Sequence, residues 1–202
     1  MVLRYGGAVG AVGVVGVVGV VGVAGVGYGY RVDMVEAAVS GDGVQSAVER
    51  LVGLLGERGV TVATAESLTG GMVGAVLTGV PGVSAVYRGG VVVYATDLKA
   101  KLAGVPEELL AAVGPVHPDT AAALATGVRV RLGADYGLAT TGVAGPDPQA
   151  GVSAGTVYVA AAGAGNVQVR KLQLNGDRET IRQASVRAVL ELGAALVAEE
   201  LD

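Results

Sequence analysis

The sequence predicts one three-layer α/β domain, with a mixed central sheet and helices on both faces. Three observations carry that expectation. Strand-like apolar runs alternate with stretches of helical period along most of the chain, the pattern that layers helices over a sheet. Near the C-terminal end, GTVYVAAA and VQVRKLQL follow one another across Gly163 to Gly165, which reads as a hairpin and makes the sheet mixed. A length of 202 residues, 51% apolar and 16% charged, supports one substantial core and argues against two full domains.

The first element is unusual. Between Arg4 and Arg31 the chain carries no charge, and glycine recurs at every third position from Gly10 to Gly25, which locates much of the excess of 35 glycines. The tract reaches the length of about 20 apolar residues that spans a bilayer, and its small-residue spacing suits helix pairing. Glycine at every third place is nevertheless poor helix chemistry in water. Residues 1–33 are therefore expected to form a low-complexity extension, with four readings open: an artefactual start, a disordered tract, a membrane-inserting segment or a packed arm. Residues 34–202, opening at Met34, are expected to form the functional domain.

Beyond Met34 the pattern becomes ordinary. Ser40 or Asp42 is expected to cap a helix whose apolar positions Val44, Ala47, Val48, Leu51, Val52 and Leu55 follow the helical period, with Gly59 as its stop. Val60 to Ala63 reads as a buried strand, and Gly70 to Leu77 as a short apolar helix closed by the turn at Val80 to Gly82. A strand over Tyr87 to Tyr94 precedes a short helix that Asp97 is expected to cap. Helices led by Pro106 and following Pro118 come next, then a strand over Asp135 to Thr141 and the hairpin. Arg178 to Leu201 is the last helix, capped by Asp177, with Ile181, Val186, Val189, Leu190 and Leu196 facing inward.

Composition narrows the chemistry. There is no cysteine, which excludes disulfides, thiolate-bound zinc and a thiol nucleophile, so nucleophilic chemistry must use oxygen or nitrogen. His117 is the one histidine; flanked by prolines near a helix start, it reads as a structural or rim residue. A net charge of −4 without any basic block gives no nucleic-acid footprint, although one or two arginines can still hold a phosphate.

Ligands of open α/β sheets collect at the carboxyl ends of strands, and three such exits stand out. In AESLTGG, Ser67 leaves a strand and enters a helix, where Thr69, Gly70 and Gly71 offer backbone N–H groups suited to an oxyanion or a phosphate. The alternative is that Ser67 or Thr69 merely caps that helix. In VVVYATDLKAK, Lys99 lies in a first helical turn beside Tyr94, where burial and the helix dipole both lower an amine's pKa; a solvated lysine is the competing reading. A neutral Lys99 could take a proton from serine, as in Ser-Lys variants of the catalytic triad. Lys101, two positions on, faces elsewhere and serves as a control. In TTGVAGPDP, Gly142 and Gly145 allow backbone to approach a ligand, and Thr141 could hydrogen-bond the lysine or the serine. Arg178, in LNGDRETIR, is placed to clamp a phosphate bidentately.

Taken in order, TAESLTGG, YRGGVVVYATDLKAKLAGV, TTGVAGPDP with GTVYVA, and NGDRETIR make the chain resemble the CinA C-terminal domain family, from about Gln45 to Leu201. Active members are nicotinamide mononucleotide amidohydrolases, which turn the carboxamide into nicotinate mononucleotide and ammonia. The resemblance implies a three-layer α/β domain, Ser67 as nucleophile, Lys99 as base, and Tyr94, Thr141 and Arg178 around the nucleotide. It implies no metal and no cofactor, a cytoplasmic enzyme of pyridine nucleotide salvage, and a mononucleotide as the small-molecule partner; separately, a compact apolar-rich chain with few charges is consistent with a homo-oligomer. Nucleic acid is not an expected partner, and a membrane is one only through residues 1–33. The competing function is a non-catalytic nucleotide-binding module linked to competence or the DNA damage response. Three departures are visible: Leu68 where many relatives have Cys, Thr141 where many have Ser, and PDPQAG in place of a Gly-Gly turn.

Overall fold

Alternating large and small apolar residues along the strands build two different surfaces on one sheet, and the helices sort onto them by size. A computed structural model describes residues 16–23, 26–35, 43–149 and 151–199. The strands are β1 (Gly16–Val23), β2 (Val26–Val35), β3 (Val62–Glu66), β4 (Tyr87–Val92), β5 (Tyr136–Gly142), β6 (Thr156–Ala162) and β7 (Val167–Gln173). The helices are α1 (Val44–Arg58), α2 (Met72–Thr78), α3 (Thr96–Ala103), α4 (Glu107–Val113), α5 (Pro118–Arg131) and α6 (Arg178–Glu199). The sheet runs β1-β2-β7-β6-β5-β3-β4. Strands β5, β3 and β4 are mutually parallel, whereas β6 is antiparallel to both β5 and β7, so the sheet is mixed as expected.

Val62 of β3, Leu138 of β5 and Val157 and Val159 of β6 face a layer formed by α1, α2 and α6. Their neighbours Ala63, Ala65, Ala139, Ala160 and Ala162 face the other side, against the alanine-rich α5 and its companions α3 and α4. Small residues let α5 lie close to the sheet, where a Cβ on Gly137 of β5 would be 2.0 Å from Ala125 O. The five inward positions expected for the final helix, Ile181, Val186, Val189, Leu190 and Leu196, are all buried.

Several helix starts differ from the sequence reading. Gly43, with φ of 93° and no side-chain cap bond, is the N-cap of α1; Ser40 and Asp42 lie outside the described residues, as does Leu201 at the far end. Ala95, not Asp97, is the N-cap of α3, and Asp97 stands in the first turn, where its carboxylate favours the helix dipole and pairs with Lys101. Asp177 does cap α6, its Oδ1 accepting from the Thr180 N–H at 2.8 Å. His117 caps α5 through Nδ1, which accepts from the Asp119 N–H at 3.3 Å.

The boundary expected between residues 33 and 34 falls inside β2, which pairs in parallel with β7 from Tyr30↔Val167 to Val35↔Leu172. Tyr30 and Val32 are buried in the core on the α5 face, and the Tyr30 hydroxyl donates to Asp119 Oδ1 at the start of α5. Among the described residues no helix is long and apolar enough to cross a membrane. Tyr30→Phe keeps the ring and strips Asp119 of this donor. Urea unfolding should show a loss of about 1–3 kcal/mol, and an unchanged midpoint would remove the bond from the account of how β2 is held.

Candidate active site

The carboxyl ends of β3, β4 and β5 converge with the start of α6 around an open cleft. Its lining includes Ser67, Leu68, Tyr94, Lys99, Thr141, Gly142, Gly145 and Arg178. Seven of the ten residues singled out in the sequence therefore meet here; Thr69, Gly70 and Gly71 are not in the lining.

Ser67 follows directly on β3, its N–H extending the pairing with β5 by donating to Thr140 O at 3.0 Å. Its neighbour Glu66, only 3% exposed, folds back over the start of α2. Glu66 Oε2 accepts from the Thr69 hydroxyl at 2.7 Å and from the N–H groups of Gly71 and Val73 at 2.9 and 3.0 Å. Its Oε1 accepts from the Gly74 N–H at 2.8 Å. A helix N-terminus holds unsatisfied N–H donors, and here a buried carboxylate takes them.

This changes the donor assignment. The Gly71 N–H is committed to Glu66 and the Gly70 N–H donates to Ser67 O at 3.1 Å, so neither is available to a developing oxyanion. Among the described residues the N–H groups of Leu68 and Thr69 meet no acceptor, and of these two residues only Leu68 lines the cleft.

Lys99 comes from α3 and is 1% exposed. Its Nζ lies 2.8 Å from Val93 O, 3.3 Å from Tyr94 O and 3.1 Å from Ser67 Oγ. The two carbonyls can only accept. A neutral amine has two N–H bonds and one lone pair, so donating both hydrogens to Val93 O and Tyr94 O turns the lone pair toward the serine hydroxyl. Burial pushes the Lys99 amine down from its ordinary value of 10.5 to about 8. Lys101 is the contrast: solvent-exposed and paired with Asp97 at 2.8 Å, its ammonium is favoured by that carboxylate and its pKa is raised.

The other predicted residues divide. Tyr94 is 59% exposed, and its hydroxyl accepts from Arg178 at 3.1 Å, while a second Arg178 nitrogen donates to Gly145 O at 2.9 Å. Arg178 thus links two rims of the cleft. Thr141 was expected to bond the lysine or the serine; instead its hydroxyl donates to Pro115 O at 2.6 Å, tying β5 to the Pro115–Val116 wall. Gly142 is glycine because β6 lies against it: a Cβ there would be 2.7 Å from Thr156 O and 2.8 Å from the Val157 Cα. Its smallness serves strand packing as well as the cleft.

Sequence reasoning left Glu66 and Arg182 without roles. The Arg182 Nε donates to Leu68 O at 3.1 Å and a terminal nitrogen to Thr69 O at 3.0 Å. A charged residue ending the apolar run VTVATAE was the one available signal for Glu66. Nothing local marked Arg182, which stands 113 residues beyond Thr69.

The fold and the cleft define an α/β domain with a buried serine and lysine in hydrogen-bond contact. The sequence model of the CinA C-terminal domain matches residues 44–197, and the chain belongs to that family. A CinA-like protein of Frankia casuarinae is 50% identical over 162 residues, covering 80% of this chain and 37% of that protein. A putative competence-damage inducible protein of Desulforamulus reducens is 43% identical over 146 residues, 72% of this chain and 36% of its own. The chain thus spans little more than a third of the length of these two relatives. Among solved structures, a CinA superfamily protein from Klebsiella pneumoniae superposes with a TM-score of 0.74 at 30% identity, covering 77% of this chain and 98% of that one. The competence/damage inducible protein CihA of Agrobacterium tumefaciens gives 0.73 at 36% identity, covering 76% and 94%.

Proposed function

We propose that this chain hydrolyses the carboxamide of nicotinamide mononucleotide to nicotinate mononucleotide and ammonia, a step of pyridine nucleotide salvage. One observation carries the reading: the Lys99 amine, 3.1 Å from Ser67 Oγ on a cleft, has both its other hydrogen-bonding directions taken by carbonyls. Ser67 Oγ attacks the carboxamide carbon as its proton passes to Lys99. The tetrahedral oxyanion is received by the Leu68 N–H, the amide following the nucleophile, in place of the Gly70 and Gly71 donors that the sequence suggested. Lys99 returns its proton to the departing nitrogen, ammonia leaves, and an acyl ester on Ser67 remains. Water then attacks that ester with Lys99 again as base, and the proton returns to Ser67 as nicotinate mononucleotide is released.

Arg178 and Tyr94 at the rim are assigned to the nucleotide, the guanidinium having donors beyond the two already used to meet the 5′-phosphate. The test is ammonia release from nicotinamide mononucleotide, with nicotinamide as the control lacking ribose phosphate. Release from the nucleotide alone is expected, and none from either overturns the proposal. In Arg178→Ala the KM should rise roughly tenfold or more with kcat less affected; an unchanged KM would remove the arginine from nucleotide binding.

A second reading is favoured by the names of relatives such as the competence-damage inducible protein of Desulforamulus reducens. There the cleft binds a mononucleotide without chemistry, in a module linked to competence or DNA damage. It differs in one outcome, saturable nucleotide binding with no ammonia formed.

A further inference from the structure

The turn after Ser67 is gripped from two sides. From below, Glu66 holds the N–H groups of Gly71, Val73 and Gly74 and the hydroxyl of Thr69, which itself lies 2.8 Å from the Thr140 hydroxyl of β5. From the α6 side, Arg182 holds the carbonyls of Leu68 and Thr69, and Glu179 holds Arg182 at 2.8 Å. The two grips use opposite ends of the peptide units, one taking N–H donors and the other C=O acceptors. Rotation of the peptide plane after Leu68 or after Thr69 would break an Arg182 bond, and rotation of the plane between Gly70 and Gly71 would break a Glu66 bond. The Glu66 main chain also joins the lysine's segment, its carbonyl accepting from the Val93 N–H at 2.8 Å, one residue before Tyr94. Val93 O and Tyr94 O are the carbonyls that orient the Lys99 amine.

We propose that Glu66 and Arg182 are positioning residues that hold the peptide planes following Ser67, so that the Leu68 N–H stays directed at the reacting centre while the serine hydroxyl stays on the lysine. The assignment rests on the Ser67–Lys99 hydrolase reading and extends it to two residues that touch neither substrate nor base. Arg182 acts one peptide removed: the plane whose Thr69 O it holds carries the Gly70 N–H, which donates to Ser67 O at 3.1 Å, and Ser67 O shares its plane with the Leu68 N–H. Holding Leu68 O and Thr69 O on the α6 side limits how the whole turn can tip. Lysine at position 182 cannot reproduce this, since one ammonium lacks the planar fork that meets two carbonyls together.

The experiment compares Arg182→Met, Arg182→Lys and Glu66→Gln with wild type and with Ser67→Ala, using two readouts. The first is steady-state hydrolysis of nicotinamide mononucleotide. The second is covalent labelling of Ser67 by a fluorophosphonate, followed by intact mass; here the serine oxygen bonds phosphorus, fluoride leaves and the proton goes to Lys99. In Arg182→Met, kcat and the labelling rate should both fall about 100-fold, the effect of a displaced reacting group. KM should change less than about threefold, because nucleotide contacts are untouched. Arg182→Lys should lie between wild type and Arg182→Met, and Glu66→Gln should fall with Arg182→Met, because an amide NH₂ would face N–H donors. Labelling and kcat at wild-type levels in Arg182→Met would overturn the assignment. So would a loss shared equally by kcat and nucleotide affinity, which marks general disruption. Failure of the underlying reading looks different: wild type then labels at Ser67 without hydrolysing the nucleotide, or Ser67→Ala retains turnover.

Discussion

Lys99→Ala should lower ammonia release from nicotinamide mononucleotide by roughly 10³-fold or more, while Lys101→Ala should leave it within about twofold. The two lysines stand on the same short helix, so the comparison isolates placement from charge. Lys99 is buried against Ser67 with its amine lowered to about 8, whereas Lys101 is exposed and held charged by Asp97. The same contrast sets the pH dependence. If the working form of Lys99 is the free amine, kcat/KM should climb about tenfold per pH unit below 8 and level off above it. Lys99→Ala should lack that limb. A Lys99 variant with full activity, or a wild-type profile flat from pH 6 to 9, would refute the base assignment.

The depressed pKa also has a thermodynamic sign. An unfolded lysine keeps its proton up to about 10.5 and the folded one only to about 8, so between those values the unfolded chain binds more protons. Wild-type stability therefore rises with pH across that window, and below it the full cost of holding a buried ammonium is present. Lys99→Met, which fills the same space without a charge, should be more stable than wild type at pH 7, by on the order of 2–3 kcal/mol. The advantage should shrink as pH rises from 8 to 10.5. Urea midpoints measured at several pH values give the comparison, and a difference that grows with pH would contradict it.

Ser67→Ala is the second large effect. Turnover should fall by roughly 10⁴-fold or more, and Ser67→Ala with Lys99→Ala should be no worse than either alone, since residues acting as one unit are not additive. Nicotinamide mononucleotide should still bind the serine variant, because Arg178 and the cleft walls remain. Rapid quenching of the wild-type reaction should reveal a Ser67 ester by mass, absent from the variant. Undiminished turnover in Ser67→Ala would exclude covalent catalysis. Binding by both proteins without ammonia from either would instead favour the non-catalytic module.

Much of this architecture was written in local pattern. The alternation along β3, β5 and β6 is a period-2 signal and places Val62 and Ala63 on opposite faces whatever surrounds them. The repeat along α1 and the Asp177 cap of α6 are likewise properties of short segments. Ser67 and Lys99 were legible because each stands at a strand-to-helix junction, and adjacent parallel strands bring such junctions to one end of the sheet.

Tertiary structure alone decided which donors and acceptors were left over. Thr69, Gly70 and Gly71 looked like an anion cradle in the sequence, but the buried Glu66 and Ser67 O take the Gly71 and Gly70 N–H groups first. Thr141 carries a hydroxyl facing the right region, and Pro115 O claims it from a segment 26 residues away. Arg182 reaches the nucleophile turn from the far end of the chain. The sequence by itself therefore determined the layers, the two faces of the sheet and the candidate attacking and accepting groups, because those follow from periodicity and local backbone chemistry. Which polar groups are free to act depended on competition among partners distant in the chain, and only the packed fold settles that competition, since each donor or acceptor goes to whichever buried group arrives beside it.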